Sequence, residues 1–133
     1  MPAIKSFVAS QRENDHSFLF AIMYTGTHIG NIKIGPINRH HHHADISYFI
    51  GEKNLWHKGI ATEAIGLIRD FGFNELKLHR IEAGVYSAAI GSWKALEKNG
   101  FLREAVFREQ VMSGDKYIDV YRYGILSSEA FNK

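Results

Sequence analysis

A glycine-containing segment that leads into a predicted helix is the part of the chain best suited to bind a charged ligand. It has the sequence Trp56-His57-Lys58-Gly59-Ile60-Ala61-Thr62. The first turn of a helix has backbone N–H groups without intrahelical partners, and the helix dipole adds partial positive charge. Gly59 lets the backbone approach an anion closely, and Lys58 adds a formal positive charge. The segment therefore predicts a phosphate or pyrophosphate site, although an ordinary turn and helix cap would use the same residues.

The four consecutive histidines His40–His43 are the other group with candidate chemistry, because imidazole is a common metal ligand. Four adjacent residues cannot all face one ion, and no cluster of carboxylates accompanies them in the sequence. The chain also has no cysteine, which excludes disulfides, thiolate metal ligands and a cysteine nucleophile. We therefore interpret the run as a solvated loop and predict no metal site.

Apolar periodicity and turn residues predict the elements that hold the glycine segment in place. Helices are predicted over 4–12, from the glycine segment through 71, and over 90–98; strands are predicted over 18–24, 29–34, 45–50, 80–86, 101–112 and 117–125. Helices interleaved with strands in this way indicate an α/β architecture, with a mixed, mostly antiparallel sheet flanked by helices.

Length and charge limit the class of protein. The 133 residues fit one domain, 1–133, that can bury a single core. Sixteen basic and fourteen acidic residues give a net charge of +2, which favours neither nucleic acid nor a membrane surface as a partner. No stretch approaches the roughly 18 apolar residues that span a bilayer. With no apolar signal region at the start, these features favour a cytoplasmic protein.

Several segments, in the same order along the chain, resemble the GNAT superfamily and in particular RimJ/RimL-type N-acetyltransferases. Segment 56–64 resembles the loop that binds the CoA pyrophosphate, whose looser signature is Gln/Arg-x-x-Gly-x-Gly/Ala, with Trp56 in the first place. The further matching segments are Asp-Ile-Ser-Tyr-Phe-Ile-Gly (45–51), Leu-His-Arg-Ile-Glu-Ala (78–83), Gly-Ser-Trp-Lys-Ala-Leu-Glu-Lys-Asn-Gly-Phe (91–101) and Gly-Asp-Lys-Tyr-Ile-Asp-Val (114–120). The resemblance implies the GNAT acyl-CoA N-acyltransferase fold, with acetyl-CoA as co-substrate and an amine as acceptor.

The resemblance also implies where CoA binds. The sheet should splay between 45–50 and 80–86, so that the pantetheine arm enters the gap and a nearby backbone N–H polarises the thioester carbonyl. The implied CoA-binding residues are Phe49, Ile50, His57, Lys58, Gly59, Ile60, Ala61, Thr62, Ala89 and Ser92.

Three residues are candidates for proton transfer. Ser92 stands at the family's serine position, where its hydroxyl could protonate the leaving thiolate, although serine also favours helix caps. Glu52 and Tyr48 lie near a strand end and could deprotonate the amine through water, although surface or packing roles suit both. Leu96 occupies the place where other GNAT branches carry a tyrosine acid.

Amine ionisation favours one class of acceptor. An α-amine has a pKa of about 7.7–8.0 and a lysine side chain about 10.4, so at pH 7 the neutral α-amine is roughly 300-fold more abundant. A site without a strong base should therefore favour protein N-termini or small amines.

Two departures from the family pattern support a rival interpretation. The strand and helix that normally precede this segment are absent, so the domain is predicted to be shortened at its N-terminus, and Ala89 replaces an asparagine that contacts pantetheine or acceptor. A non-catalytic CoA-binding or interaction module is the alternative. A nucleotide-binding domain is a weaker one, because Gly-x-x-x-x-Gly-Lys-Ser/Thr and Gly-x-Gly-x-x-Gly are both missing. Without the preceding strand, the edge of 18–24 would be unpaired, which predicts a homodimer.

Overall fold

The computed structural model describes residues 6–13, 16–51 and 59–131. Within these residues seven strands occur: β1 Ser6–Glu13, β2 Ser17–Tyr24, β3 Thr27–Asn38, β4 His43–Ile50, β5 Arg80–Tyr86, β6 Leu102–Ser113 and β7 Lys116–Leu126. The helices are α1 Ile60–Asn74, α2 Ile90–Lys98 and α3 Ser127–Phe131. A helix long and apolar enough to cross a membrane is not found in the described part of the chain.

All seven strands form one sheet, in the order β1-β2-β3-β4-β5-β7-β6. Only β4 and β5 run parallel, and the other neighbouring strands pair antiparallel. The helix α1 is the crossover that the parallel pair requires. The prediction of a mixed, mostly antiparallel sheet flanked by helices is confirmed.

The prediction of a helix over 4–12 is wrong. Residues 6–13 form β1, which pairs antiparallel with β2 from Ser6 opposite Met23 to Glu13 opposite Ser17. Three apolar residues at helical spacing are a weak signal, and pairing with β2 satisfies the backbone N–H and C=O groups along a whole strand edge. Because β1 covers the edge of β2, the predicted dimer through that edge loses its structural basis.

The strand β3 is longer than the sequence predicts. The predicted strand ends at residue 34, just before Gly35-Pro36, yet β3 continues to Asn38, with a shift in register against β4 between Ile34 and Ile37. An irregular position of this kind tolerates a proline, which cannot donate a hydrogen bond to the ladder. The turn after β3 holds three of the four histidines, and His43 begins β4.

The helix α1 is fixed on the sheet by one apolar face. It packs against β3 and β5 and also contacts α2. Gly72 allows close packing, because a Cβ there would lie 2.8 Å from the Cδ1 of Ile81 and 2.9 Å from that of Ile34. The buried apolar residues of α1 are Ile60, Ala64, Ile65, Ile68 and Phe73. This packing sets the position of the first turn of α1, where the predicted anion site lies.

Candidate active site

The parallel strands β4 and β5 pair over only three residues and then diverge. His43, Ala44 and Asp45 lie opposite Arg80, Ile81 and Glu82, whereas β4 continues to Ile50 and β5 to Tyr86. The splay that the resemblance implied is therefore present. A cleft of about 330 Å³ occupies it, lined by Ile46, Ser47, Tyr48, Ala83, Gly84, Val85, Tyr86, Ala89, Ser92 and Leu96.

A guanidinium holds the point where the strands part. Arg122, on β7, donates from Nη2 to Glu82 at 3.1 Å and to Asp45 at 3.3 Å. These two carboxylates belong to the last paired residues of β5 and β4. Arg80 joins the same network through Glu82 and Glu104, and its guanidinium lowers the pKa of the Glu104 carboxyl. The point where β4 and β5 diverge, from which the cleft opens, is therefore cross-linked by charge-assisted hydrogen bonds.

Tyr48 and Ser92 both line the cleft, one from β4 and one from α2. Burial raises the pKa of the Tyr48 phenol, and the nearby Ser92 hydroxyl offsets part of this rise. The Tyr48 hydroxyl is nevertheless buried without a hydrogen bond of normal geometry to any described residue. At neutral pH it therefore carries its proton, and it has hydrogen-bonding capacity that the described fold leaves unused.

The position of Ser92 excludes the helix-cap alternative. The helix α2 begins at Ile90, and its N-cap residue is Ala89, which has no side chain able to cap. Ser92 lies within the first turn, where its backbone N–H donates to the Ala89 carbonyl at 3.0 Å. Its hydroxyl is consequently placed at the cleft by a helix whose start does not depend on it.

The end of β4 comes unusually close to β3. Gly30 lies against the carbonyl oxygen of Phe49, where any Cβ would overlap that oxygen. Since the C=O and N–H of one trans peptide point in opposite directions, the N–H of Ile50 is directed away from β3 and toward the side of β5. Of the two predicted N–H groups, that of Ile50 is therefore the one directed toward β5, although neither Phe49 nor Ile50 is among the residues that line the cleft.

The predicted anion site lies at the start of α1. Gly59 is the N-cap residue, with φ 78° and ψ 8°, a left-handed conformation that favours glycine. A second cavity of about 200 Å³ lies beside it, lined by Gly59, Ala61, Thr62, Gly91, Lys94, Ala95 and Lys98. The first-turn N–H groups of α1 and the two lysines of α2 thus border one space, which suits an anion.

Sequence reasoning missed Lys94 and Lys98. Their spacing of four residues on a helix indicates one shared face, but the sequence does not show that this face meets the start of α1. Other predicted site residues cannot be compared, because Glu52, Trp56, His57 and Lys58 lie outside the described residues. In the part of the chain that the structure describes, no three metal-ligating side chains are grouped to hold an ion.

Asn99 ties the two walls of this second cavity together. Its buried side chain donates from Nδ2 to the carbonyls of Thr62 and Ala95, each at 2.9 Å. Arg69, on α1, donates to the Asn99 carbonyl at 3.0 Å. The end of α2 is therefore hydrogen-bonded to the first turn of α1.

Replacing Asn99 by alanine is expected to lower the free energy of unfolding by about 1–3 kcal/mol, because the Thr62 and Ala95 carbonyls lose a shared donor. Urea denaturation measures this loss. Asn74→Ala, at the exposed end of α1, is the matched control and should stay within about 0.5 kcal/mol of the parent. Equal effects of the two substitutions would show that Asn99 does not clamp the helices.

Comparison with known proteins agrees with this geometry. The family model described as "Acetyltransferase (GNAT) domain" matches residues 2–102. The chain belongs to this family.

Individual relatives support the same assignment. The chain is 43% identical over 86 residues to "Probable N-acetyltransferase YjcK" of Bacillus subtilis (strain 168), covering 65% of this chain and 47% of that protein. It is 34% identical over 112 residues to "Uncharacterized N-acetyltransferase p20" of Bacillus licheniformis, covering 84% and 62%. Among solved structures, a dodecameric spermidine N-acetyltransferase from Vibrio cholerae has a TM-score of 0.81 at 27% identity, covering 90% of this chain and 70% of that one. The chain thus spans about half to three fifths of the length of these two Bacillus relatives.

Proposed function

We propose that this chain is the catalytic domain of an acetyl-CoA-dependent N-acetyltransferase, which moves an acetyl group to a primary amine by direct attack in a ternary complex. The observation that carries the proposal is the cleft between the diverging β4 and β5, with the Ser92 hydroxyl on its wall. Family membership supports the same chemistry.

The described residues suit both the pyrophosphate of CoA and its thioester. The first turn of α1, from Gly59 to Thr62, offers N–H donors to the pyrophosphate, and Lys94 and Lys98 add positive charge. His57 and Lys58, which precede Gly59 outside the described residues, are proposed to extend this site. Both cavities are bordered by α2, with Ala89 and Ser92 on one and Gly91 and Lys94 on the other. A ligand that followed α2 would therefore bring its thioester between β4 and β5.

The proposed reaction uses few side chains. The amine nitrogen bonds to the acetyl carbon, the carbon–sulfur bond breaks, and Ser92 gives its hydroxyl proton to the departing sulfur. Of the two predicted backbone N–H groups, that of Ile50 has the orientation to polarise the thioester carbonyl, because it is directed toward β5. Glu52 is the proposed base, acting through water on the incoming ammonium.

The acceptor is proposed to be a protein N-terminal α-amine or a small amine, as in RimJ/RimL-type enzymes. The described cleft lining contains no carboxylate, and this supports acceptors that need little help to lose a proton. We further propose a cytoplasmic location, which suits a chain without cysteine. Any homodimer would have to use a surface other than the β2 edge.

The alternative function is a non-catalytic CoA-binding or interaction module. It is favoured by Ala89, which gives the cleft a methyl group where the family pattern has an amide. Such a module would bind CoA but transfer nothing.

Incubation with acetyl-CoA and a panel of amines separates the two functions. The panel contains a peptide with a free N-terminus, spermidine and a lysine whose α-amine is blocked, and free CoA thiol is measured over time. We expect amine-dependent thiol release, greatest with the peptide or a small amine. CoA binding without release under any amine would support the non-catalytic module instead.

A further inference from the structure

The Tyr48 hydroxyl is a polar group that the described fold buries without satisfying. It has no hydrogen-bond partner of normal geometry among the described residues, and solvent does not reach it. A buried unsatisfied polar group typically costs about 1–3 kcal/mol, and native proteins keep few of them. A phenylalanine would fill the same space without this cost. The hydroxyl is therefore a candidate for a role outside folding.

The surroundings of this hydroxyl point to one partner. Ser92 lines the same cleft as Tyr48, and its hydroxyl offsets part of the rise in the pKa of the Tyr48 phenol. The remaining polar side chains of the cleft lining are Ser47 and Tyr86, and the other lining residues are apolar or glycine. Since solvent does not reach the Tyr48 oxygen, a bound ligand would meet the Ser92 hydroxyl first.

We propose that Tyr48 is a positioning residue that donates its hydroxyl proton toward Ser92, so that the two hydroxyls form a relay ending at the departing sulfur. This inference rests on the proposed acetyltransferase function. It assigns Tyr48 to the acid side of the reaction, whereas the sequence suggested a base.

Over one turnover the relay gains and loses no proton, because each hydroxyl that gives up a proton receives another. As the carbon–sulfur bond breaks, Ser92 transfers its proton to sulfur and accepts the Tyr48 proton. The proton that the acylated nitrogen releases then returns to the Tyr48 oxygen through the Ser92 hydroxyl, since solvent does not reach that oxygen directly. Without Tyr48, the negative charge would stay on the Ser92 oxygen as an alkoxide, which is a much stronger base than a phenolate and is unfavourable in a mostly apolar cleft.

The protonation state of Tyr48 agrees with this direction. Burial raises the pKa of the phenol above its ordinary value of 10. A phenol that keeps its proton at neutral pH can donate a hydrogen bond, but it cannot remove a proton from an ammonium group.

Tyr48→Phe tests the relay. We expect kcat to fall roughly 10-fold or more, because one link in acid catalysis is lost. The KM for acetyl-CoA should change less than twofold, since the hydroxyl does not reach the ligand. The melting temperature should stay level or rise, because an unsatisfied hydroxyl has been removed. A merely structural tyrosine would give no such combination of slower turnover and undiminished stability.

Two further variants make the test specific. In the relay, Tyr48→Phe should add little to Ser92→Ala, because both remove the same proton path. Tyr123→Phe is the matched control: its buried hydroxyl donates to Glu97 at 2.7 Å, away from the cleft. It should lower the melting temperature and leave kcat unchanged.

The possible outcomes distinguish a failure of the relay from a failure of the proposed acetyltransferase function. If the parent protein transfers acetyl groups and Tyr48→Phe has the same kcat, the relay is wrong but the proposed function stands. Rate losses that multiply in the double variant also overturn it, because they show independent action. A folded parent that binds acetyl-CoA but acetylates no amine overturns the proposed function, and the relay with it.

Discussion

Gly59→Val is expected to abolish measurable CoA binding in calorimetry while circular dichroism shows a folded domain. Gly59 has φ 78°, a region that β-branched residues strongly disfavour, so valine would force the backbone to move. The displaced groups are the first-turn N–H donors of α1. Charge-assisted hydrogen bonds contribute roughly 1.5–3 kcal/mol each, so losing two weakens binding by about 10²-fold or more.

Gly114→Val is the matched control for backbone strain. Gly114 also has a positive φ, 65°, but it lies in the turn between β6 and β7 with no atom near the position of a Cβ. Valine there should cost a similar strain and leave CoA affinity unchanged. CoA affinity equal to the parent in Gly59→Val would place the pyrophosphate elsewhere.

Ser92→Ala is expected to reduce kcat by about 10²-fold or more, with a much smaller change in the dissociation constant of CoA. In the proposed reaction the Ser92 proton is needed as the thiolate leaves, whereas the ground-state complex gains little from it. Turnover at saturating acetyl-CoA and calorimetric CoA binding measure the two quantities separately. Ser113→Ala, at the exposed end of β6, controls for the loss of a hydroxyl.

A different result would remove Ser92 from the chemistry. Since Ala89 is the N-cap of α2, the substitution should not cost the roughly 1 kcal/mol that a lost cap costs. Unchanged turnover with a lowered melting temperature would therefore contradict both the catalytic assignment and the structural one.

The sequence predicts the elements best where periodicity and turn residues agree. The strand β5 and the helix α2 have the predicted bounds, because the Asn99-Gly100 pair ends α2 and an apolar run defines β5. The helix predicted over 4–12 failed because a few apolar residues fit either period, and the edge of β2 decides between them. The continuation of β3 past Pro36 likewise depends on its pairing with β4.

The residues of the candidate site also fall into those that a local sequence pattern predicts and those whose role depends on tertiary packing. Gly59 could be predicted from the loop, because a glycine before a helix has a local physical meaning. Tyr48 and Ser92 could each be named, but their proximity depends on where α2 packs on the sheet. Lys94 and Asn99 were missed because their roles arise from the contact of α2 with α1, which no local pattern encodes.

A crystal structure of the chain with acetyl-CoA tests the central claim most directly. We predict the pyrophosphate within hydrogen-bond distance of the backbone N–H groups from Gly59 to Thr62, and the thioester between β4 and β5 beside the Ser92 hydroxyl. Electron density for the thioester outside this cleft, or for the pyrophosphate away from the first turn of α1, would contradict the account.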